Sequence, residues 1–310
     1  MMHRTIEITV PPSCTDELIE QLEQEEHVIN LSVVRGASIK PPGDVLTVHA
    51  LNRGADQVMR LAEGAHKEGG DVSVSTSELS SLVDPKHERK VANDVDEALW
   101  EEAETGLRHQ SRITPNYLGL MALGGAVGAT GLVVESTPQT ISIVAAAIIA
   151  PGFEPLAKIP MGLALRRWDV ARRGLTSAAA GYLALAISAA LAFLVLSLTG
   201  VVTVEEFVGN SQVEELANPT LREILVSACG ALAGMVMMLS YRLNLIPGAL
   251  VALMIIEAAA MVGVALAAGE PGLMYEGLER LGLDVLLILV GGVFVVLLKQ
   301  LVFHRRAPMV

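Results

Sequence analysis

The chain opens with the period-two alternation of a half-buried strand and closes in long apolar runs without that period. From His3 to Val10, Ile6, Ile8 and Val10 fall on one face, which predicts a first strand. PPSCTDELIEQLEQEE then predicts a helix, capped by Ser13 or Thr15, with Leu18, Ile19 and Leu22 as its apolar stripe. A second strand is predicted over 28–34, a turn over 36–43 around Pro41 and Pro42, and a third strand over 45–50. A second helix follows over about 55–67 with Val58, Leu61 and Ala62 inward, and Val72 and Val74 mark a fourth strand. Strand, helix, strand, strand, helix, strand is the order of the ferredoxin-like split unit, so residues 1–84 are expected to form an α+β domain of that kind. This fold hosts metal carriers, small-molecule sensors and dimerisation modules, and gives no function by itself.

Residues 85–112 place Val91, Val95 and Leu99 at helical spacing with charge elsewhere, which predicts one amphipathic linker helix. Beyond it, residues 113–304 read as an α-helical membrane domain of six spans: 117–134, 140–165, 175–198, 221–241, 246–268 and 283–302. Each is near the roughly twenty residues that a helix needs to cross hydrocarbon. The second is interrupted by Pro151, Gly152, Pro155 and Pro160; each proline lacks an N–H, so carbonyls are left free inside an apolar segment. At a constant offset, Gly124 and Gly128 fall on Gly230 and Gly234, Ala146 on Ala252, Ile149 on Ile255 and Leu175 on Leu281. That spacing suggests a three-plus-three inverted repeat, a plan that transporters use to put a substrate near the bilayer midplane. The four glycines also form small-xxx-small faces, for which close helix packing is the default explanation.

Charge orients this picture. Arg108, Arg112, Arg166, Arg167, Arg172, Arg173, Arg242, Lys299, Arg305 and Arg306 fall on one side of the expected spans, and only Arg222 and Arg280 on the other. The positive-inside rule then places both termini in the cytoplasm, including a tail over 305–310, in a multi-pass protein of the cell (inner) membrane. The segment 199–220 holds four glutamates and no Lys or Arg, as an external loop would. No early apolar stretch resembles a secretory signal, which agrees with a cytoplasmic N-terminal domain. The net charge of −12 arises largely in the first hundred residues and argues against nucleic acid as a partner, because phosphate binding needs clustered Lys and Arg. Cys14 and Cys229 give neither a disulfide framework nor a metal spacing, and His3, His27, His49 and His66 are scattered. Arg35 and Lys40 around Gly36 read as a small anion site or as a solvated loop. With no P-loop, metal motif or nucleophile beside a base, no enzyme, metal or cofactor is expected.

Three acids inside these apolar segments carry the candidate chemistry. A charged side chain at the centre of a span costs roughly 3 kcal/mol, so it is kept neutral, paired, or facing a polar path. Glu257 has about ten apolar residues on either side and reads as a proton-carrying acid or cation ligand, or else as a protonated bond to another helix. Glu154 follows the proline break, four residues before Lys158; the two either pair along one turn, or Glu154 is wetted near the cytoplasmic face while Lys158 snorkels. Asp284, at the start of the last predicted span, reads as a helix-start residue near the outer surface.

AAAIIAPGFEPLAKIPMGLAL with RRWDVARRGL, and later VEELANPTLREILVSACGALAGMVMMLSYRLNLIPGALVALMIIEAA, resembles the uncharacterised membrane-protein family catalogued as domain of unknown function 389. The resemblance covers nearly the whole chain, with the Pro-x-x-x-Pro element Pro151/Pro155 as its most specific part, and it implies architecture rather than activity. The chain departs from that pattern at Glu154, where the family usually has a small residue, at Ile256 and Glu257, where it has a proline pair, and at Asp284, where it tends to have asparagine. The reading that follows is a membrane transporter of a small solute or ion, proton or cation coupled, in which Glu257, Glu154, Pro151, Gly152, Pro155, Lys158 and Asp284 line the pathway. The lipid bilayer is its first partner, a homo-oligomer is expected, and the cytoplasmic domain regulates or dimerises it. A channel gated by the N-terminal domain and a non-transporting sensor or scaffold are the alternatives.

Overall fold

The computed structural model of the chain describes residues 3–67, 71–79, 81–134, 137–240 and 246–303. Arg242, Arg305 and Arg306 of the orientation argument, and the tail over 305–310, lie outside the described residues. Two compact units are formed, one by Met1–Ala103 with Leu239–Arg242 and Lys299–Val310, the other by Glu104–Met238 and Leu243–Leu298.

In the first unit the order is β1 (His3–Val10), α1 (Pro12–Glu23), β2 (Val28–Ile39), β3 (Pro42–Ala50), α2 (Asn52–Lys67) and β4 (Ser73–Leu79). The strands form an antiparallel sheet in the order β2-β3-β1-β4, the arrangement that the split unit requires. Ile6 lies opposite Val48 and Ile8 opposite Leu46, so the alternating residues of both strands share one face. That face is buried against Leu18 and Leu22 of α1 and Val58, Met59 and Ala62 of α2, while Ile19 and Leu61 pack at its margin.

Two local expectations change. The turn predicted over 36–43 contracts to Lys40 and Pro41, because β2 continues to Ile39 and pairs Ser38 with Gly43 and Ile39 with Pro42. It does so through a register shift between Val34 and Ser38, where Gly36 takes a φ of 63° that disfavours any side chain. Neither Ser13 nor Thr15 caps α1: the cap is Pro11, without a side-chain bond, and Pro12 occupies the first turn, where a missing N–H costs nothing. Thr15 instead donates its hydroxyl to Asp44 Oδ2 at 2.7 Å, while the other Asp44 oxygen accepts the Gly36 N–H at 2.7 Å. Arg35 is engaged by Asp16 at 2.5 Å and Asp44 at 3.7 Å, so its guanidinium is committed to acids of its own domain.

Asp44 therefore fixes the bulge to α1. The Gly36 N–H, and after it the Thr15 hydroxyl, holds its carboxyl below the usual carboxylate range. A depressed folded value means that the stabilisation is present above the unfolded carboxylate value, about 3.9, and is lost as pH falls through the lower folded value. In the full-length protein the exchange protection of the Gly36 amide, corrected for its intrinsic rate, is expected to fall across that acid range, and Asp44→Asn to remove the dependence. Protection in the parent protein that stays level into strong acid would contradict the assignment.

The single linker helix is replaced by α3 (Glu88–Ala92) and α4 (Trp100–Gln110). Asp94 explains the interruption. Its carboxylate accepts the backbone N–H of Asn52 at 2.6 Å and of Val95 at 2.9 Å, and it meets the Arg53 Nε at 3.3 Å and His3 Nδ1 at 3.4 Å. These long-range bonds outweigh the weak helical preference of the intervening residues, and Leu99 enters the core of the sheet.

The second unit contains α5 (Pro115–Gly131), α6 (Thr137–Ile149), α7 (Phe153–Ala164), α8 (Trp168–Leu198), α9 (Val204–Val208), α10 (Ser211–Ala217), α11 (Leu221–Met238), α12 (Ile246–Ala268) and α13 (Pro271–Val302). Among the described residues, α8, α11 and α13 are long and apolar enough to cross a membrane, and α6 with α7 makes a fourth crossing if the pair, bent by 50°, counts as one. The apolar stretch Met254–Ala268 of α12 is shorter. Leu183, Ile187, Leu191, Leu194 and Leu198 form an exposed stripe on α8, a surface compatible with lipid. The helix α8 packs against α5, α7 and α12, and small residues set its distance from each. A β-carbon on Gly125 of α5 would overlap the Leu185 carbonyl, and one on Gly263 of α12 the Ala186 carbonyl. Gly124 faces Ala146 and Ala150 of α6, Gly128 faces Ala260 of α12, and Gly234 faces the Phe153 ring of α7; Gly230 is half-buried.

Candidate functional site

The site is built where α6 stops. Pro151 has no N–H for the carbonyl of Ala147, and Pro155 none for that of Pro151, so the helical ladder cannot run through this stretch. The chain leaves α6 after Ile149, the Gly152 N–H turns back to the Ala150 carbonyl at 2.8 Å, and α7 begins at Phe153. The break is confined to 150–152. Pro155 sits in the first turn of α7, where its missing donor is harmless, and Pro160 lies inside α7 without ending it, its ring accommodated by Gly292 of α13.

Tyr182 of α8 answers the break. Its buried hydroxyl donates to the Gly152 carbonyl at 2.9 Å. A β-carbon at Gly152 would lie 2.9 Å from Ile256 Cδ1 and 3.2 Å from that hydroxyl, so glycine is what lets α8 and α12 close on the exposed backbone. Glu154 stands in the first turn of α7, within electrostatic range of Tyr182 and Tyr117, and its Oε2 is buried without a hydrogen-bond partner. Tyr117 donates to the Ser177 carbonyl at 2.8 Å and is held against Gly181. Lys158 is buried, but no ion pair with Glu154 forms among the described residues; it lies within electrostatic range of Arg173, Arg108 and Glu104 instead.

Glu257, 5% exposed on α12, is not solitary: the Gln212 amide donates to its Oε2 at 3.0 Å. Gln212 comes from the stretch expected to be an external loop, which instead folds into α9 and α10 and buries Phe207, Val213 and Leu216. Asn210 anchors that stretch, accepting the Gln212 N–H at 2.9 Å and the Gln139 amide at 3.0 Å.

Asp284 is a correction. The last helix begins at Pro271, not near Leu283, so Asp284 is an interior residue rather than a helix-start residue, and it is 2% exposed. Arg280, one turn earlier and 3% exposed, donates from Nε to Asp284 Oδ2 at 3.0 Å. Its Nη2 reaches Ser227 Oγ of α11 at 2.9 Å and Met254 Sδ of α12 at 3.3 Å. Met254 lies one turn before Glu257 on α12, and Glu257 is within electrostatic range of both Arg280 and Asp284. Arg280 thus pairs with Asp284 and lies within electrostatic range of Glu257, while Glu154 lies within electrostatic range of Tyr182 near the break. Tyr182, Gln212, Arg280 and Ser227 escape the sequence reading; only the four-residue spacing of Arg280 and Asp284 is a signal that it contains.

Residues 147–290, from the end of α6 into α13, match the family model described as Domain of unknown function (DUF389). These residues belong to the DUF389 family. The matched region of DUF389 contains the break, Glu154, Tyr182, Gln212, Glu257, Arg280 and Asp284. No curated protein and no solved structure matches the chain.

Proposed function

We propose that this DUF389 chain is an integral membrane transporter of a small solute or ion, coupled to protons or another monovalent cation. Its six spans are α5, the broken pair α6–α7, α8, α11, α12 and α13, with both termini cytoplasmic, and it works as a homo-oligomer whose sheet domain regulates or dimerises it. The observation that carries this reading is the break at 150–152, which Tyr182 holds through the N-cap carbonyl of Gly152, beside a buried Glu154 oxygen that accepts no hydrogen bond among the described residues. Irregular backbone persists at membrane depth where protein buries it or where it lines a polar cavity, and acids there mark ion pathways by default. The suggested repeat supports it further, because the offset that superposes Gly124 on Gly230 puts Pro151 on Glu257, one on each expected half.

Purified protein in liposomes containing a pH-sensitive dye, under an imposed potassium diffusion potential, is expected to admit protons or radiolabelled Na+ faster than protein-free vesicles. Glu257→Gln should bring that flux to background while the protein stays monodisperse. Neither ion moving above background would end the transport reading, and unitary currents in planar bilayers would make the protein a channel.

A further inference from the structure

The charges on α12 and α13 do not balance. Arg280 supplies a single guanidinium, and its directed bond goes to Asp284 Oδ2. Among the described residues, Glu257 receives only the neutral Gln212 amide, and its neighbours Ile255, Ile256, Ala258 and Ala259 are all buried. Two carboxylates on one guanidinium leave one uncompensated negative charge in an apolar setting, which proteins relieve by binding a cation or a proton. A second observation indicates where: Asp284 is 2% exposed, yet among the described residues its buried Oδ1 has no hydrogen-bond partner, the nearby Ser227 hydroxyl being turned to Met254 Sδ at 2.6 Å.

We propose that Glu257 and Asp284 Oδ1, held around Arg280, form a site for one monovalent cation, a proton or Na+. The charge count sets the valence, since a divalent ion would overshoot it. Among the described residues no group of three His, Cys, Asp or Glu side chains gathers, whereas divalent ions favour several anionic ligands. Oxygen donors suit Na+, and a proton on Glu257 leaves Oε2 able to accept from Gln212. The groups facing the pair add no positive charge, and the acid among them on α10 is exposed and screened by solvent. From α10 come Gln212 and the exposed Glu215, from α11 the Ser227 hydroxyl, and from α8 Tyr182, which lies within electrostatic range of both Asp284 and Glu154 of α7. This site deepens the transport reading and rests on it for the role of coupling ion.

The test is binding by the full-length protein in detergent, so it does not depend on flux. Radiolabelled Na+ binding at alkaline pH and proton uptake on acidification, followed by the carboxyl stretch in infrared difference spectra, are measured on the same preparation. One cation per chain is expected in the difference between the parent and Glu257→Gln, in which the protons taken up by the other acids cancel. Saturable Na+ binding displaced by acid identifies Na+; a protonating carboxyl with no Na+ binding identifies the proton. Either signal should disappear in Glu257→Gln. Asp284→Asn cancels the same excess charge and should also abolish uptake, which keeps the proposal testable if one variant fails to fold. Unchanged uptake in a folded variant, or no uptake of either ion by the parent protein, overturns the site. Binding without flux in liposomes would remove transport and leave the site, whereas flux without binding would remove the site alone.

Discussion

Replacing Arg280 by methionine is expected to destabilise the protein by about 3 to 5 kcal/mol, the magnitude found when one partner of a buried ion pair is removed. The guanidinium is 3% exposed and binds three helices at once through Asp284, Ser227 and Met254. Methionine fills much of the volume but leaves Asp284 as a buried acid without its cation, with only the Ser227 hydroxyl nearby to compensate it among the described residues. The penalty is thus mainly the stranded carboxylate, and a second substitution should relieve it. Arg280→Met with Asp284→Leu is expected to recover most of the loss, because apolar replacement of both partners is often neutral or favourable. Thermal unfolding of the purified single and double variants in detergent measures both effects. A single variant as stable as the parent would mean that water reaches Asp284 and that the pair is not desolvated.

The history of this pair shows what the sequence made legible. Hydropathy located the apolar segments, but a sliding boundary near Leu283 put Arg280 outside the span and turned Asp284 into a helix end. The helix in fact starts at Pro271, and residues 271–282 continue it although Glu276, Glu279 and Arg280 lower their hydropathy. Periodicity sufficed for β1, α1 and α2, where each residue's burial follows from its own neighbours in sequence. It failed at Gly36 and at Asp94, where one residue's bonds to distant backbone decide the local conformation. Glu257 was conspicuous as an acid in an apolar run, yet its partner Gln212 lies 45 positions away on a stretch whose composition spoke only of an external loop. Isolated acids in spans are therefore easy to find in sequence, and the groups that define their chemistry are not. The proline break was legible in place but too broad, since proline in the first turn of a helix looks the same in sequence as proline that ends one.

Gly263→Leu is expected to have the second large effect, separating α12 from α8. The β-carbon alone would overlap the Ala186 carbonyl, a backbone atom of a helix that cannot rotate away as a side chain can. Gly125 does the same to the adjacent Leu185 carbonyl from α5, so α8 is held between two glycines that meet successive residues of one turn. Overpacking of this kind costs about 1 to 3 kcal/mol, and leucine should reach or pass the upper end because the rest of its side chain has no space between the two backbones. Gly125→Ala and Gly263→Ala should each destabilise by a smaller amount, and together by at least their sum: a shift of α8 that admits one β-carbon presses it towards the other. Gly282→Ala on α13 supplies the opposite sign, since nothing lies within 4 Å of its added β-carbon and alanine favours helix over glycine by roughly 0.5 to 1 kcal/mol. Unfolding midpoints in detergent should therefore rank Gly282→Ala at or above the parent, then the two single alanine variants, then Gly263→Leu. If Gly263→Leu matched Gly282→Ala, the two helices would not be in backbone contact. Glu257 and Tyr182 would then lose the packing that holds them in register, because Ile256 closes on Gly152 through the same face of α12 that Gly263 presses onto α8.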